Sequence, residues 1–252
     1  MKSSTPPTSA PENLAELGCA GLRVWQPSDG YRFSLDAYLL AAFVDEAPGT
    51  AIFEVGYGSG VIALLLAAVK GLQVSGVEIQ PRMVELARRS VALNGLEDSI
   101  DLELGDFREY RGGPHAALVV NPPYRPLATG RLNPDQAIAQ SRHELSLSLD
   151  ELAGGAARSL KPGGRFYCIY PAWRLVDLMA KLRGAGLEPK RLRTVHSRID
   201  GPGRLCLVAA TRGGGRELKL EAPLIIYGAD GQYSEEVRAI FAGLGQQKAI
   251  DR

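Results

Sequence analysis

At 252 residues, 45% hydrophobic and 23% charged, the chain has the composition of a globular protein and the length to bury a substantial core. No apolar run approaches the roughly 20 residues that span a bilayer. Three widely spaced cysteines (Cys19, Cys168, Cys206) without a CxxC pair argue against a disulfide or zinc framework and for a reducing cytoplasm. The net charge of +1 hides an asymmetry: residues 125–216 carry 16 Lys and Arg against 7 Asp and Glu, and the rest carries 13 against 21. Unless the fold intermixes the two halves, one face suits a polyanion.

Met1 to Glu12 holds Ser, Thr and Pro but no apolar stretch of signal-peptide type, so residues 1–20 are expected to be a flexible lead-in. An apolar helix, Tyr38–Phe43, follows the segment Tyr31–Ala37, in which Ser34 is an N-cap candidate with Phe33 as its hydrophobic staple. From residue 51 strands alternate with helices. The pattern predicts a strand at Ala51–Val55, a helix at Val61–Val69, a strand at Val74–Ile79 and a helix at Pro81–Asn94. In the second helix Val84, Ala87 and Val91 form the buried stripe, Pro81 suits the first turn, and Asn94-Gly95 stops it. Strands Ile100–Leu104 and Ala116–Val120 come next, then a loop rich in Pro, Gly, Arg and Asn to about Arg142.

A helix (Leu149–Leu160), the turn Lys161-Pro162-Gly163-Gly164, a strand (Phe166–Tyr170) and a helix with Leu175, Leu178, Met179 and Leu182 at core spacing complete the alternation. Arg191–Arg198 and Leu205–Thr211 read as a hairpin. The expected fold is α/β: a mostly parallel sheet with helices on both faces and an antiparallel C-terminal hairpin, forming one domain over residues 21–241 with a tail from 242 to 252.

Two stretches carry chemistry. Glu54-Val55-Gly56-Tyr57-Gly58-Ser59-Gly60 joins the first strand to the first helix, and alternate glycines let a backbone approach a ligand closely. The spacing is G-x-G-x-G, unlike the G-x-G-x-x-G of pyrophosphate binders. Glu78, with Ile79 beside it, ends the next strand, where a carboxylate can accept from a ribose diol. Gly105-Asp106-Phe107 ends the third, with Asp106 suited to an adenine amino group and Phe107 to its ring face. In this order the stretches resemble class I S-adenosylmethionine-dependent methyltransferases, implying a Rossmann-like seven-stranded sheet and that cofactor. The family often has a small residue where this chain has Tyr57, which leaves open whether that ring lies over the cofactor or points outward.

Asn121-Pro122-Pro123-Tyr124 closes the strand Ala116–Val120 as a rigid polar clamp at a carboxyl end. An aromatic amino group is a poor nucleophile because its lone pair is delocalised. The Asn121 side-chain oxygen and the Pro122 carbonyl can each accept one N–H, favouring a pyramidal nitrogen, while Pro123 stiffens the loop and Tyr124 stacks on the acceptor. The tetrapeptide resembles that of methyltransferases acting on adenine N6 and on glutamine N5.

The acceptor is separated by the flanks. Gln26 to Ala37 resembles the entry segment of tRNA(Val) adenine-N6 methyltransferases, as do Ser141-Arg142-His143-Glu144, Glu221 to Tyr227 and Tyr233 to Glu236. The resemblance implies a tRNA substrate, with Phe33, Ser34 and Asp36 touching the methionine end of the cofactor; Arg125, Arg131, Arg142, Lys190, Arg191, Arg193, Arg198 and Arg204 are the candidate phosphate grips. His115 and His196 have no partner pattern and suggest no metal site, and the lack of a long apolar run suggests no membrane. Methylation of a protein glutamine or of an rRNA base stays open beside the tRNA substrate.

Overall fold

A computed structural model describes residues 12–28, 34–122 and 147–243 of the chain. A two-stranded antiparallel hairpin, β1 (Glu12–Glu16) and β2 (Arg23–Pro27), precedes the main body. The flexible lead-in expected over residues 1–20 is therefore corrected from Glu12 onward. The cause is a tertiary contact: the Trp25 N–H donates to the Ser90 hydroxyl at 2.9 Å, and the Asn94 side chain both accepts from the Arg23 N–H (3.0 Å) and donates to its carbonyl (2.7 Å). Arg89 adds its guanidinium 4.3 Å above the Trp25 ring.

The main sheet has nine strands. Five parallel strands come first: β3 (Ala51–Val55), β4 (Gln73–Glu78), β5 (Ile100–Leu104), β6 (His115–Val120) and β7 (Leu160–Pro171). The hairpin β8 (Leu187–His196) and β9 (Gly203–Arg212) follows, then two-residue strands β10 (Lys219–Leu220) and β11 (Leu224–Ile225). The spatial order is β10-β8-β9-β7-β6-β3-β4-β5, with β11 also on β8, and β9 alone runs against the rest. Because β10 and β11 pair with β8, the hairpin is not the bare edge its pattern suggests. The Pro-Gly-Gly turn expected at 161–164 is instead an irregularity within β7, where partners jump from His115↔Leu160 to Ala117↔Arg165.

Period-two alternation sends the strand side chains to two cores. Ile52, Ala117, Val119, Tyr167, Ile169, Leu207 and Ala209 face α1 (Leu35–Phe43), α2 (Val61–Lys70), α3 (Pro81–Leu93) and α6 (Glu235–Gly243). Phe53, Val55, Leu118, Val120, Phe166, Cys168, Cys206 and Val208 face α4 (Leu149–Ser159) and α5 (Leu175–Gly184). Helix α2 is apolar all round because it lies between sheet and α1; Leu64, Leu65 and Leu66 have no exposed surface, each burial worth about 1.5–3 kcal/mol. Helix α4 opens with a reciprocal capping box between Ser148 and Glu151.

The chain runs from β3 outward through β4 and β5, then returns to place β6 on the other side of β3. That reversal leaves a crevice at the carboxyl ends of β3 and β6, the place where open α/β sheets bind ligands.

Candidate functional site

The glycine turn stands at that crevice. Gly56, Gly58 and Gly60 have φ of 67°, 54° and 86°, a left-handed backbone that strains any other residue. A Cβ added at Gly56 or Gly58 would meet nothing within 4 Å, so the turn faces open space, whereas one at Gly60 would come 3.3 Å from Ala87 Cβ. Glu78 braces the turn from β4. Its Oε2 accepts from the Gly58 N–H at 3.0 Å and its Oε1 from the Gln80 N–H at 2.9 Å. A carboxylate offers about four acceptor positions, so the two backbone donors orient the group and leave it able to accept two hydroxyls.

Tyr57 takes neither orientation left open by the sequence. It is 3% exposed, crosses beneath the turn over Gly76, and donates its hydroxyl to the Glu103 carbonyl on β5 at 3.0 Å. A Cβ at Gly76 would lie 3.0 Å from the Tyr57 ring and 2.8 Å from the Glu54 carbonyl, which explains a glycine inside β4. Burial, reinforced by the Glu78 charge, pushes the phenol pKa up and keeps it a donor.

Glu54 is 1% exposed and lies on the α2 face of the sheet, where it accepts from the Ala63 backbone N–H in the first turn of α2. Gly60, the N-cap residue, has no side chain to do this, so a strand residue caps the helix instead. Among the described residues Glu54 Oε2 has no hydrogen-bond partner. Burial first, and the Glu78 charge second, push its pKa well above the ordinary carboxylate range; the Ala63 N–H opposes them.

At the end of β5, Arg108 grips Asp106 as a fork, with Nε 2.9–3.0 Å from both carboxylate oxygens, and its own N–H donates to Oδ1 at 2.9 Å. These bonds hold the Asp106 pKa down. Phe107, expected to cover a ring face, is instead turned into the core: it is 5% exposed, its ring centre is 6.3 Å from that of Phe53, and it fills the space left by Gly155. The exposed apolar residues at this edge are Ile79 (43%), just past the end of β4, and Leu104 (54%), the last residue of β5. Leu104 was missed because its alternation within Ile100–Leu104 assigns it to the core.

Asn121 and Pro122 are half-buried just past β6, and the pairing Val55↔Val120 sets Asn121 beside Gly56. Ser34 is the N-cap residue of α1 and Asp36 lies in its first turn; the Ser34 side chain makes no capping bond. Phe33, Pro123, Tyr124, Arg125, Arg131 and Arg142 lie outside the described residues.

The basic cluster divides. Arg191 pairs with Glu221 (2.6 Å) and sits 4.3 Å above the Phe43 ring; Arg193 forks onto Glu236 (2.7 and 2.8 Å); Lys190 donates to the Gly215 carbonyl (3.0 Å). These three fasten β8 to the following chain. Arg198 and Arg204 are exposed around the hairpin tip and have no ion pair among the described residues. Among the described residues, no helix is long and apolar enough to cross a membrane, and no group of three or more His, Cys, Asp or Glu is placed to hold a metal.

A family profile described as a methyltransferase domain matches residues 52–121, the span from β3 to Asn121. A protein of Phocaeicola vulgatus named tRNA1(Val) (adenine(37)-N6)-methyltransferase is 31% identical over 176 residues, covering 69% of this chain and 74% of that one. One of the same name from Porphyromonas gingivalis is 32% identical over 196 residues, covering 73% and 72%. Among solved structures, a predicted O-methyltransferase from Agrobacterium tumefaciens matches with a TM-score of 0.67 at 20% identity, covering 85% of this chain and 99% of that chain. That likeness is one of fold.

Proposed function

Since the chain belongs to the family of tRNA1(Val) (adenine(37)-N6)-methyltransferases, we propose that it transfers a methyl group from S-adenosylmethionine to the N6 atom of an adenine in tRNA. The observation that carries the reading is the junction of β3 and β6, which brings an open glycine turn braced by Glu78 alongside Asn121 and Pro122. A tRNA substrate implies a cytoplasmic setting.

The residues fit the cofactor. Gly56 and Gly58 leave room for close approach, the Glu78 carboxylate has acceptor capacity for a ribose diol, and Ile79 and Leu104 offer apolar surface for a purine beside Asp106. Bound S-adenosylmethionine supplies an electrophilic sulfonium methyl. The protein contributes alignment and a site screened from water. Asn121 Oδ1 and the Pro122 carbonyl each accept one N–H of the adenine amino group, which turns its lone pair out of conjugation. This interaction strengthens as the nitrogen pyramidalises. Tyr124 stacks on the base, which leaves its own strand to enter the crevice, at less expense from a loop than from a duplex. Ser34 and Asp36, with Phe33, are assigned to the methionine end.

The test is product identification. The protein is incubated with methyl-labelled S-adenosylmethionine and, separately, unmodified tRNA, rRNA and ribosomal protein, and the products are digested. Label in N6-methyladenosine from tRNA supports the proposal. Label in protein glutamine or in rRNA, with none in tRNA, overturns it.

A further inference from the structure

Trp173 is 67% exposed, the most exposed aromatic ring among the described residues. It stands in a short 3-10 turn, Ala172–Arg174, where β7 leaves the sheet, and that turn is closed by the Leu175 N–H on the Ala172 carbonyl. Arg174 braces it, with Cζ 5.7 Å from the Trp173 ring centre and 5.5 Å from that of Tyr170, and Nε 3.8 Å from Asp177. Val176, 82% exposed, follows three residues later and extends the apolar surface. The indole is thus presented to solvent by an ordered element.

Its position relative to the crevice follows from register. Val120 pairs with Cys168, so Asn121 lies beside Ile169, and Trp173 is four residues farther along the chain, just past the end of β7. Four extended residues and one strand spacing put the two α-carbons no more than about 15 Å apart. Across the sheet the same edge continues through the start of β9, which pairs Leu205 with Pro171, to the end of β8 and then to Tyr227, whose N–H donates to the Ser197 carbonyl at 3.0 Å. Along this row stand Arg204 and Arg198 with no ion pair among the described residues, and Tyr227 stacked on Tyr233 at 5.4 Å. Asp200 at the hairpin tip dilutes the positive charge, so charge alone makes a weak grip and the rings must add to it.

We propose that this edge is a track for single-stranded RNA, on which the nucleotide next to the target adenine stacks on Trp173 and the following phosphates meet Arg204 and Arg198. The inference rests on the reading that the acceptor is RNA. A flat π surface near the crevice suits an unpaired base, because every base offers a face to stack and none inside a duplex does. It also supplies a reason for the target to leave its stack: the neighbour's lost partner is replaced by the indole.

In a Trp25→Phe background Trp173 is the only tryptophan, and its emission reports the site directly. Titration with a transcribed anticodon stem-loop should quench that emission. Trp173→Ala should raise the RNA Kd by about 5- to 150-fold, the range expected for one lost base–aromatic stack, and Trp173→Phe by less. The thermal midpoint should stay put in both, since the ring supports no core. Wild-type affinity in Trp173→Ala overturns the track while leaving the RNA reading intact. So does an indole shielded from acrylamide before RNA is added, which would mean that another part of the chain covers it. Failure of the wild type to label any RNA removes the reading itself.

Discussion

The Glu54→Gln variant probes the most unusual electrostatic feature of the site. Glu54 is 1% exposed, has an oxygen without a partner among the described residues, and shares the carboxyl end of the sheet with Glu78. Burial and the neighbouring charge raise its folded-state pKa above the unfolded value of 4.5, so the folded protein holds a proton that the unfolded chain releases. The sign follows: this contribution to stability is fully present below the unfolded pKa and is lost as pH rises toward the folded one, at about 1.4 kcal/mol per pH unit while the proton is held. Glutamine mimics the protonated form without titrating. It can still accept from the Ala63 N–H, and any penalty for an unpaired amide, about 1–3 kcal/mol, does not vary with pH. Urea unfolding of both proteins at rising pH above 4.5 should therefore show the variant gaining on the wild type, by at most about 1.4 kcal/mol per unit, until Glu54 ionises in the folded protein and the difference levels off. Adding Glu78→Gln, which removes the second cause of the shift, should narrow that pH range. A stability difference that is flat with pH would refute the reasoning, because Glu54 would then ionise at its ordinary value.

Four further substitutions test other parts of the protein. Gly76→Ala places a Cβ 2.8 Å from the Glu54 carbonyl and 3.0 Å from the Tyr57 ring, and should cost about 1–3 kcal/mol by chemical unfolding; an unchanged midpoint would mean that Tyr57 does not cross β4. Arg108→Ala releases Asp106 from the contact that holds its pKa down. The acid limb of S-adenosylmethionine binding, followed by calorimetry against pH, should then move to higher pH, and an unmoved limb removes Asp106 from the cofactor site. Arg204→Ala should reduce the slope of log K against log salt for tRNA by about 0.7–0.9, one phosphate contact, whereas Arg193→Ala should leave that slope alone and lower stability by at most about 1 kcal/mol through its half-exposed partner Glu236. Equal salt slopes in the two variants would contradict the division of the basic cluster.

What local pattern encodes, the sequence disclosed. Strands β3 and β5 fall at the expected residues, the glycine turn has the left-handed backbone its spacing demands, and Asn121 stands at a carboxyl end because an apolar run stops at Val120. What depends on partners distant in the chain stayed hidden. Glu12–Glu16 forms a strand only because Ser90 and Asn94 anchor its partner β2. Arg191 and Arg193 read as free cations until Glu221 and Glu236, about 30 and 43 residues on, fold against them. Tyr57 and Phe107 sit in stretches whose sequence suggests ligand contact, yet they point inward, because Gly76 and Gly155 open space for their rings. That signal is in the sequence, but two glycines in separate elements cannot be matched to two rings without the fold. Leu104 is the reverse case, a residue with a core pattern left at the rim by the end of β5.

The central claim is that the amino group is methylated against Asn121. The most direct measurement compares single-turnover methyl transfer and tRNA affinity in Asn121→Ala and the wild type. Loss of one such acceptor should slow transfer by about 10²- to 10³-fold, as for other oriented hydrogen-bonding groups at a transition state, with tRNA Kd nearly unchanged. A wild-type rate constant in the variant would contradict the account, whatever the product.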